Sequence, residues 1–245
     1  EKFNKNFNGN YQKILNWSIN NSPEFWSAFW SFSKIKGTKG NKKIKKSKIF
    51  YKNKFLPKSK LNFAENLLSK NNNEKAITFI SENNYREERT WAKLNGNTSK
   101  LIQFFKDKKI KKKDRIAAYM PNTIETVEAF LATSSIGAIW SSCSPDFGVK
   151  GAIERFSQIN PKVLFITDQY FYNGKKINVL ERLPEILRNI PSIKNIVIVS
   201  YPGKKFINYK LSFKKNVFRW NELMKINSKN INYLKYDFDH ELAIL

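Results

Sequence analysis

Two runs in this chain, Val163-Leu164-Phe165-Ile166 and Ile196-Val197-Ile198-Val199, are apolar at every position. A strand with one face in water alternates apolar and polar side chains, whereas a strand covered on both faces does not. Parallel strands sandwiched between helices meet that condition. Residues 115–120 form a third strand candidate, closed by Pro121, and the stretches between the three carry helical periodicity. The expected fold is therefore α/β, a mostly parallel sheet flanked by helices.

Local signals fill in the elements. Residues 76–80 and 85–89 predict a hairpin across the polar turn Glu82-Asn83-Asn84. Thr90 is placed to cap a helix in which Leu94, Leu101, Ile102 and Phe105 share a face. Asn122 and Glu125 have capping-box spacing ahead of another helix, with Ile124, Val127, Phe130 and Leu131 facing inward. Residues 151–159 predict a short helix, and residues 177–190 a longer one that Pro184 kinks or divides. Residues 11–32 predict two helices, the second capped by Ser22 with Pro23 in its first turn. Its Phe25, Trp26, Phe29 and Trp30 recur at near-helical spacing and are expected in a core. Residues 34–60 are lysine-rich, include Gly37 and Gly40 and lack periodicity, which predicts a basic connecting loop.

Composition limits the function classes. With 41% hydrophobic and 15% aromatic residues over 245 positions, the chain has enough apolar surface to bury a core. The net charge of +25 raises the alternative of a basic nucleic-acid-binding protein. Lysines are spread along the whole length, however, and no recognition module accompanies them, so the charge reads as a solvated surface. No nucleic-acid partner is expected. Nor is a membrane partner, because residues 1–10 lack a signal-peptide core and no apolar run approaches ~18 residues. A lone Cys143 excludes an intramolecular disulfide and a cysteine metal site, which suits a reducing cytoplasmic location. The first residue is Glu1 rather than Met, so the true start is expected upstream.

Catalytic motifs are missing from the residues themselves. No glycine pattern of the kind that cradles phosphates is present; the nearest, Gly37-Thr38-Lys39-Gly40-Asn41-Lys42, follows no strand and predicts a flexible turn. His240 is the only histidine, and Ser141, Ser142 and Ser144 have no base beside them, so none is assigned as a nucleophile. Cys143 lies among apolar and small residues and predicts a buried, inert thiol. Glu87 and Glu88 sit in a polar stretch and are expected to face solvent. The stretch Gly137-Ala138-Ile139-Trp140-Ser141-Ser142-Cys143-Ser144-Pro145-Asp146-Phe147-Gly148 is distinctive. Its small side chains at 141–144 suit either tight strand packing or the close approach of a ligand.

That stretch, followed by Arg155-Phe156-Ser157-Gln158-Ile159, closely resembles the acetoacetyl-CoA synthetase family of adenylate-forming enzymes. Further similar segments follow the family's order: Asn16-Trp17-Ser18, Phe25-Trp26, Leu61-Asn62-Phe63-Ala64-Glu65-Asn66-Leu67-Leu68, Pro161-Lys162-Val163-Leu164-Phe165 and Tyr172-Asn173-Gly174-Lys175-Lys176-Ile177. The resemblance covers nearly the whole chain and is weak over residues 200–239. It implies a helical amino-terminal cap and basic loop over residues 1–65. It also implies the first part of an AMP-binding adenylation domain over residues 66–245, truncated before the phosphate loop.

The implied reaction joins acetoacetate to CoA through an acyl-adenylate, consuming ATP with Mg²⁺ and releasing AMP and pyrophosphate. The ATP and Mg²⁺ sites would lie mainly beyond residue 245, leaving this stretch inactive alone and without a catalytic residue. Another short-chain acyl-CoA synthetase, acetyl- or propionyl-specific, is the nearest alternative. The resemblance assigns one site here, a CoA-binding turn at Tyr172, Asn173, Gly174 and Lys175. Related acetyl-CoA synthetases carry an Arg-x-Gly-Arg turn there, so Tyr172 replaces an arginine, and stacking replaces a bidentate contact.

Overall fold

A computed structural model describes residues 9–82, 84–207, 215–228 and 230–245. Residues 1–8, part of the stretch expected to lack a signal-peptide core, and Asn83 of the predicted turn lie outside the described residues. The chain forms two compact units. One joins the chain up to Leu67 with Tyr233–His240; the other holds Leu68–Asn232 and Glu241–Leu245.

The first unit opens with helices α1 (Tyr11–Asn20) and α2 (Ser22–Phe32). Pro23 sits in the first turn of α2 as expected, but Ser22 is already helical and Asn21 takes the cap position. The aromatic residues of α2 pack ring on ring, with Phe25 stacked on Phe29 at 6.1 Å. Only Trp30 is buried, however. Trp26 and Phe29 instead line an apolar cavity of about 380 Å³ with Phe55, Leu56 and Phe238.

The lysine-rich stretch is not a structureless loop. It folds into β1 (Gly37–Thr38), β2 (Ile44–Lys45), β3 (Lys54–Phe55) and β4 (Lys60–Leu61), ahead of α3 (Phe63–Leu67). β4 pairs antiparallel with β1 on one side and with Tyr236–Asp237 on the other, while β2 pairs with β3. A Cβ on Gly37 would lie 2.5 Å from the Lys60 carbonyl oxygen. That glycine serves strand packing: of the flexible turn expected at residues 37–42, residues 37–38 pair in a sheet and residues 39–42 lie between strands.

The second unit begins with the hairpin β5 (Lys75–Ile80) and β6 (Arg86–Thr90), then α4 (Trp91–Asp107). Thr90 caps α4 as predicted, accepting from Lys93 N–H at 3.2 Å. There follow β7 (Arg115–Tyr119), α5 (Ile124–Ser135), β8 (Ile139–Cys143), α6 (Gly148–Ser157) and β9 (Val163–Thr167). A second hairpin, β10 (Gln169–Tyr172) and β11 (Lys175–Asn178), leads to α7 (Leu183–Asn189). The described elements of this unit close with β12 (Asn195–Val199), β13 (Asn216–Arg219) and α8 (Trp220–Leu223).

The predicted parallel sheet is present, in the order β13-β12-β9-β7-β8. β9 and β12 are buried at every position, which explains their unbroken apolar runs. Side chains alternate between two cores. Ala117, Tyr119, Leu164 and Ile166 meet α6 and α7, whereas Ile116, Ala118, Val163 and Phe165 meet α4 and α5. From β7 the chain goes outward to β8, then returns across β7 to β9. The sheet thus has a topological switch point between β7 and β9, where open α/β sheets hold ligands beyond their carboxyl ends.

Two details differ from expectation, and one pairing was not foreseen. The Asn122–Glu125 capping box does not form: Thr123 precedes α5 without a side-chain cap bond. Glu125 is drawn instead into a buried ion cluster. Helix α7 begins only at Leu183, because Ile177 belongs to β11 and Pro184 occupies the helix's first turn. Finally, residues 242–244 run beside β8, with Trp140 N–H donating to Leu242 O and Ile244 N–H to Trp140 O.

Candidate functional site

Around the switch point, Tyr119 ends β7 fully buried. Its hydroxyl donates to the Pro145 carbonyl at 3.1 Å and accepts from Arg182 Nη1 at 2.6 Å. Arg182 Nη1 also reaches that carbonyl at 2.7 Å. The loop after β8 is thereby bound to the segment leading into α7. Burial raises the Tyr119 pKa against the opposing pull of Arg182. Burial, with a hydrogen bond to Asp146, pushes Tyr170 up to about 12. Both phenols stay protonated and act as structural donors, not as bases.

The distinctive 137–148 stretch resolves into β8 and a short 3₁₀ turn, Pro145–Phe147. Trp140 packs on Phe130 and Phe165, so the strand positions are explained by packing. Ser144 turns its hydroxyl to Asp146 Oδ2 at 2.7 Å, a local bond that closes the turn after β8. Cys143 is buried, and desolvation raises its thiol pKa. Iodoacetamide should therefore label Cys143 at least ~10-fold more slowly in the native chain than in denaturant, read by mass spectrometry. His240, in the first unit, stacks on Tyr236 at 4.9 Å.

The four residues of the expected CoA-binding turn sit together at the tip of the β10–β11 hairpin. Tyr172 pairs with Lys175, and Asn173 and Gly174 form the two-residue loop between them. Both loop residues have positive φ, 49° and 70°, the conformation that favours an Asn-Gly pair. The hairpin's root is fastened by Asp168, fully buried beyond β9. Its carboxylate accepts from Tyr201 N–H at 2.8 Å and Ile207 N–H at 3.0 Å. At the tip, Tyr172 is 55% exposed, and Lys175 and Lys176 are exposed as well. The backbone N–H groups of Asn173 and Gly174 donate to the Glu82 carboxylate at 3.2 and 3.4 Å. Glu82 thus takes up the turn's backbone donors, and what the tip leaves open is the Tyr172 ring and the two lysines beside it.

Sequence reasoning missed a second constellation. Arg89 lies in contact range of three carboxylates: Glu87 at 3.0 Å, Glu125 at 3.2 Å and Glu128 at 3.0 Å. Glu87 is thus engaged rather than solvent-facing, although Glu88 does pair at the surface with Lys75 and Arg86. Glu128 has no exposed surface and accepts from Asn97 Nδ2 at 2.8 Å. The Arg89 Nε atom lies near Glu128 but off the hydrogen-bond direction, and the Oε2 atoms of Glu125 and Glu128 lack a partner among the described residues. Desolvation pushes Glu128 up to about 8, with the Arg89 charge opposing it. Desolvation likewise raises Glu125. The cluster joins β6 to α4 and α5 and touches none of the turn residues.

The AMP-binding enzyme family matches this chain over residues 64–231. The chain belongs to that family. As an AMP-binding enzyme chain it is 39% identical over 203 residues to acetoacetyl-coenzyme A synthetase of Rhizobium meliloti (strain 1021), covering 83% of this chain and 31% of the relative. It is 35% identical over 199 residues to acetoacetyl-CoA synthetase of Xenopus tropicalis, covering 78% and 29%. Among solved structures, acetoacetyl-CoA synthetase from Streptomyces lividans superposes with a TM-score of 0.86 at 26% identity. That match covers 97% of this chain and 36% of the other. The chain thus spans about three-tenths of the length of the curated relatives it matches.

Proposed function

We propose that this chain is the amino-terminal portion of an acetoacetate–CoA ligase, with a cap and basic segment over residues 1–65 and the start of the adenylation domain over residues 66–245. What carries the reading is the fold match to the Streptomyces lividans enzyme over 97% of the chain, alongside 35–39% identity to relatives named as acetoacetyl-CoA synthetases. In the proposed reaction acetoacetate attacks ATP, pyrophosphate leaves, and the CoA thiol then displaces AMP from the mixed anhydride. Activation turns a poor leaving group into a good one.

This chain's part is to build the sheet and to hold one end of CoA. Tyr172 stacks on the adenine, Lys175 meets a phosphate, and Asn173 and Gly174 set the turn. Among the described residues no three His, Cys, Asp or Glu side chains gather to hold a metal. Mg²⁺ ligands are therefore not assigned to this chain, and no step is routed through the ion. No helix among the described residues is long and apolar enough to cross a membrane. A cytoplasmic location is part of the proposal, supported by the free thiol of the single cysteine, which suits a reducing compartment.

The test uses the longer protein that carries this sequence. Pyrophosphate release and CoA-thiol consumption should depend on acetoacetate and be much weaker with acetate or propionate. Equal turnover of acetate would replace the assignment with the broader short-chain ligase. For the turn, Lys175→Ala should weaken CoA binding roughly 2–5-fold, as expected for an exposed charge. Calorimetry showing unchanged CoA affinity would remove Lys175 from the site.

A further inference from the structure

The β2–β3 hairpin ends in a tip, residues 46–53, that holds its most apolar side chains in water. Ser47 N–H donates to Asn53 Oδ1 at 2.8 Å, and Asn53 Nδ2 donates to the Phe50 carbonyl at 2.8 Å. Backbone bonds from Lys52 to Ile49 and from Asn53 to Phe50 close one 3₁₀ turn. This bracing is polar and local. Its outcome is that Phe50 is 91% exposed, Tyr51 79% and Ile49 44%. Scattered surface hydrophobes need no explanation, but three in a row on an ordered apex form a patch.

Within the hairpin's own sequence the charge is of one sign. From Phe25 to Ala64 the sequence contains no Asp or Glu. Lys43 reaches Glu24, and Lys54 reaches Asp239. Lys45, Lys46, Lys48 and Lys52 are all exposed and form no ion pair among the described residues. Lys52 Nζ lies 6.0 Å from the Tyr51 ring, so cation and aromatic share the same apex.

We propose that this tip docks the protein reversibly on an anionic lipid surface. Ile49, Phe50 and Tyr51 enter the headgroup boundary, and Lys45, Lys46, Lys48 and Lys52 lie against the headgroup charges. Aromatic rings with a polar edge settle at that boundary, and basic residues beside it are drawn to the negative leaflet. One apolar wedge or one basic patch holds a protein only weakly, whereas the two together give stable but reversible attachment. Single-stranded nucleic acid would also welcome the lysines and rings. Ile49 has no face on which a base stacks, and its place at the apex favours lipid. Docking of this kind runs against the expectation of no membrane partner, which rested on the lack of a signal-peptide core and of a long apolar run, features that a docking hairpin tip does not need.

Sedimentation of the longer protein that carries this sequence, with vesicles, tests this. Vesicles of phosphatidylcholine mixed with phosphatidylglycerol should carry the protein down, and phosphatidylcholine alone should not. F50S/Y51S and K45Q/K46Q/K48Q/K52Q should each weaken partitioning roughly 10-fold or more, while F50W retains it. All these side chains are exposed, and an unchanged circular dichroism melt confirms that the variants fold. Parental binding by F50S/Y51S, or equal binding to neutral vesicles, would overturn the proposal. So would an RNA oligonucleotide that binds through the tip while vesicles do not.

Discussion

Arg89→Ala lowers the stability of the second unit by roughly 3–5 kcal/mol at neutral pH, the range for removing one partner of a buried ion pair. The cause is what remains behind. Glu125 and Glu128 are both buried, Glu87 is only a quarter exposed, and Arg89 is the cation that faces all three. Without it, three acidic groups share a low-dielectric space and must either take up protons or draw in water. Urea denaturation of the parent and the variant at pH 7 measures the loss. Repeating the comparison near pH 5, where the carboxyls protonate more readily, should shrink the difference. A constant deficit would mean that Arg89 acts by packing alone.

Glu128→Gln should reverse the sign of that pH effect. The Glu128 carboxyl has its pKa pushed up from 4.5 to about 8 in the folded chain, so folding favours the protonated form. A group of this kind leaves stability intact below its unfolded pKa. It then erodes stability as pH rises toward the folded value, at up to ~1.4 kcal/mol per pH unit. The parent should therefore weaken from about pH 5 to pH 8, with a plateau above. Glutamine cannot ionise, yet keeps an oxygen to accept the Asn97 amide bond. Its stability should be flatter across the same window and exceed that of the parent at the alkaline end by roughly 2–4 kcal/mol. Thermal melts in a pH series decide it; parallel curves would show that Glu128 is already ionised when folded.

The two predictions concern residues that the sequence hid, and the reason is physical. Burial of a strand on both faces leaves a mark within five consecutive residues, so β9 and β12 were legible directly. The Thr90 cap was legible too, since its partner is three residues away. Arg89 meets Glu125 across 36 positions, and nothing local in a polar Glu-Glu-Arg run says which members turn inward. The β10–β11 hairpin lay between these cases. Asn173-Gly174 is a strong two-residue turn signal, but apolar spacing from Ile177 onward mimics a helix and obscures the returning strand. Of the candidate site, the turn's backbone geometry follows from its own residues, while its proposed ligand follows only from resemblance. The order within residues 34–60 was illegible because two-residue strands are too short to show alternation.

The strand order also bears on how the ribosome delivers this unit. β7, an interior strand of the sheet, emerges before any strand that pairs with it. β8 then joins one flank and β9 the other, followed outward by β12 and β13. Each newly made strand meets an edge already laid down, and none must be threaded between two earlier ones. Nascent β7 is short and fully apolar after Arg115, so the interval before β8 and α5 arrive is when the chain most needs shelter from its neighbours.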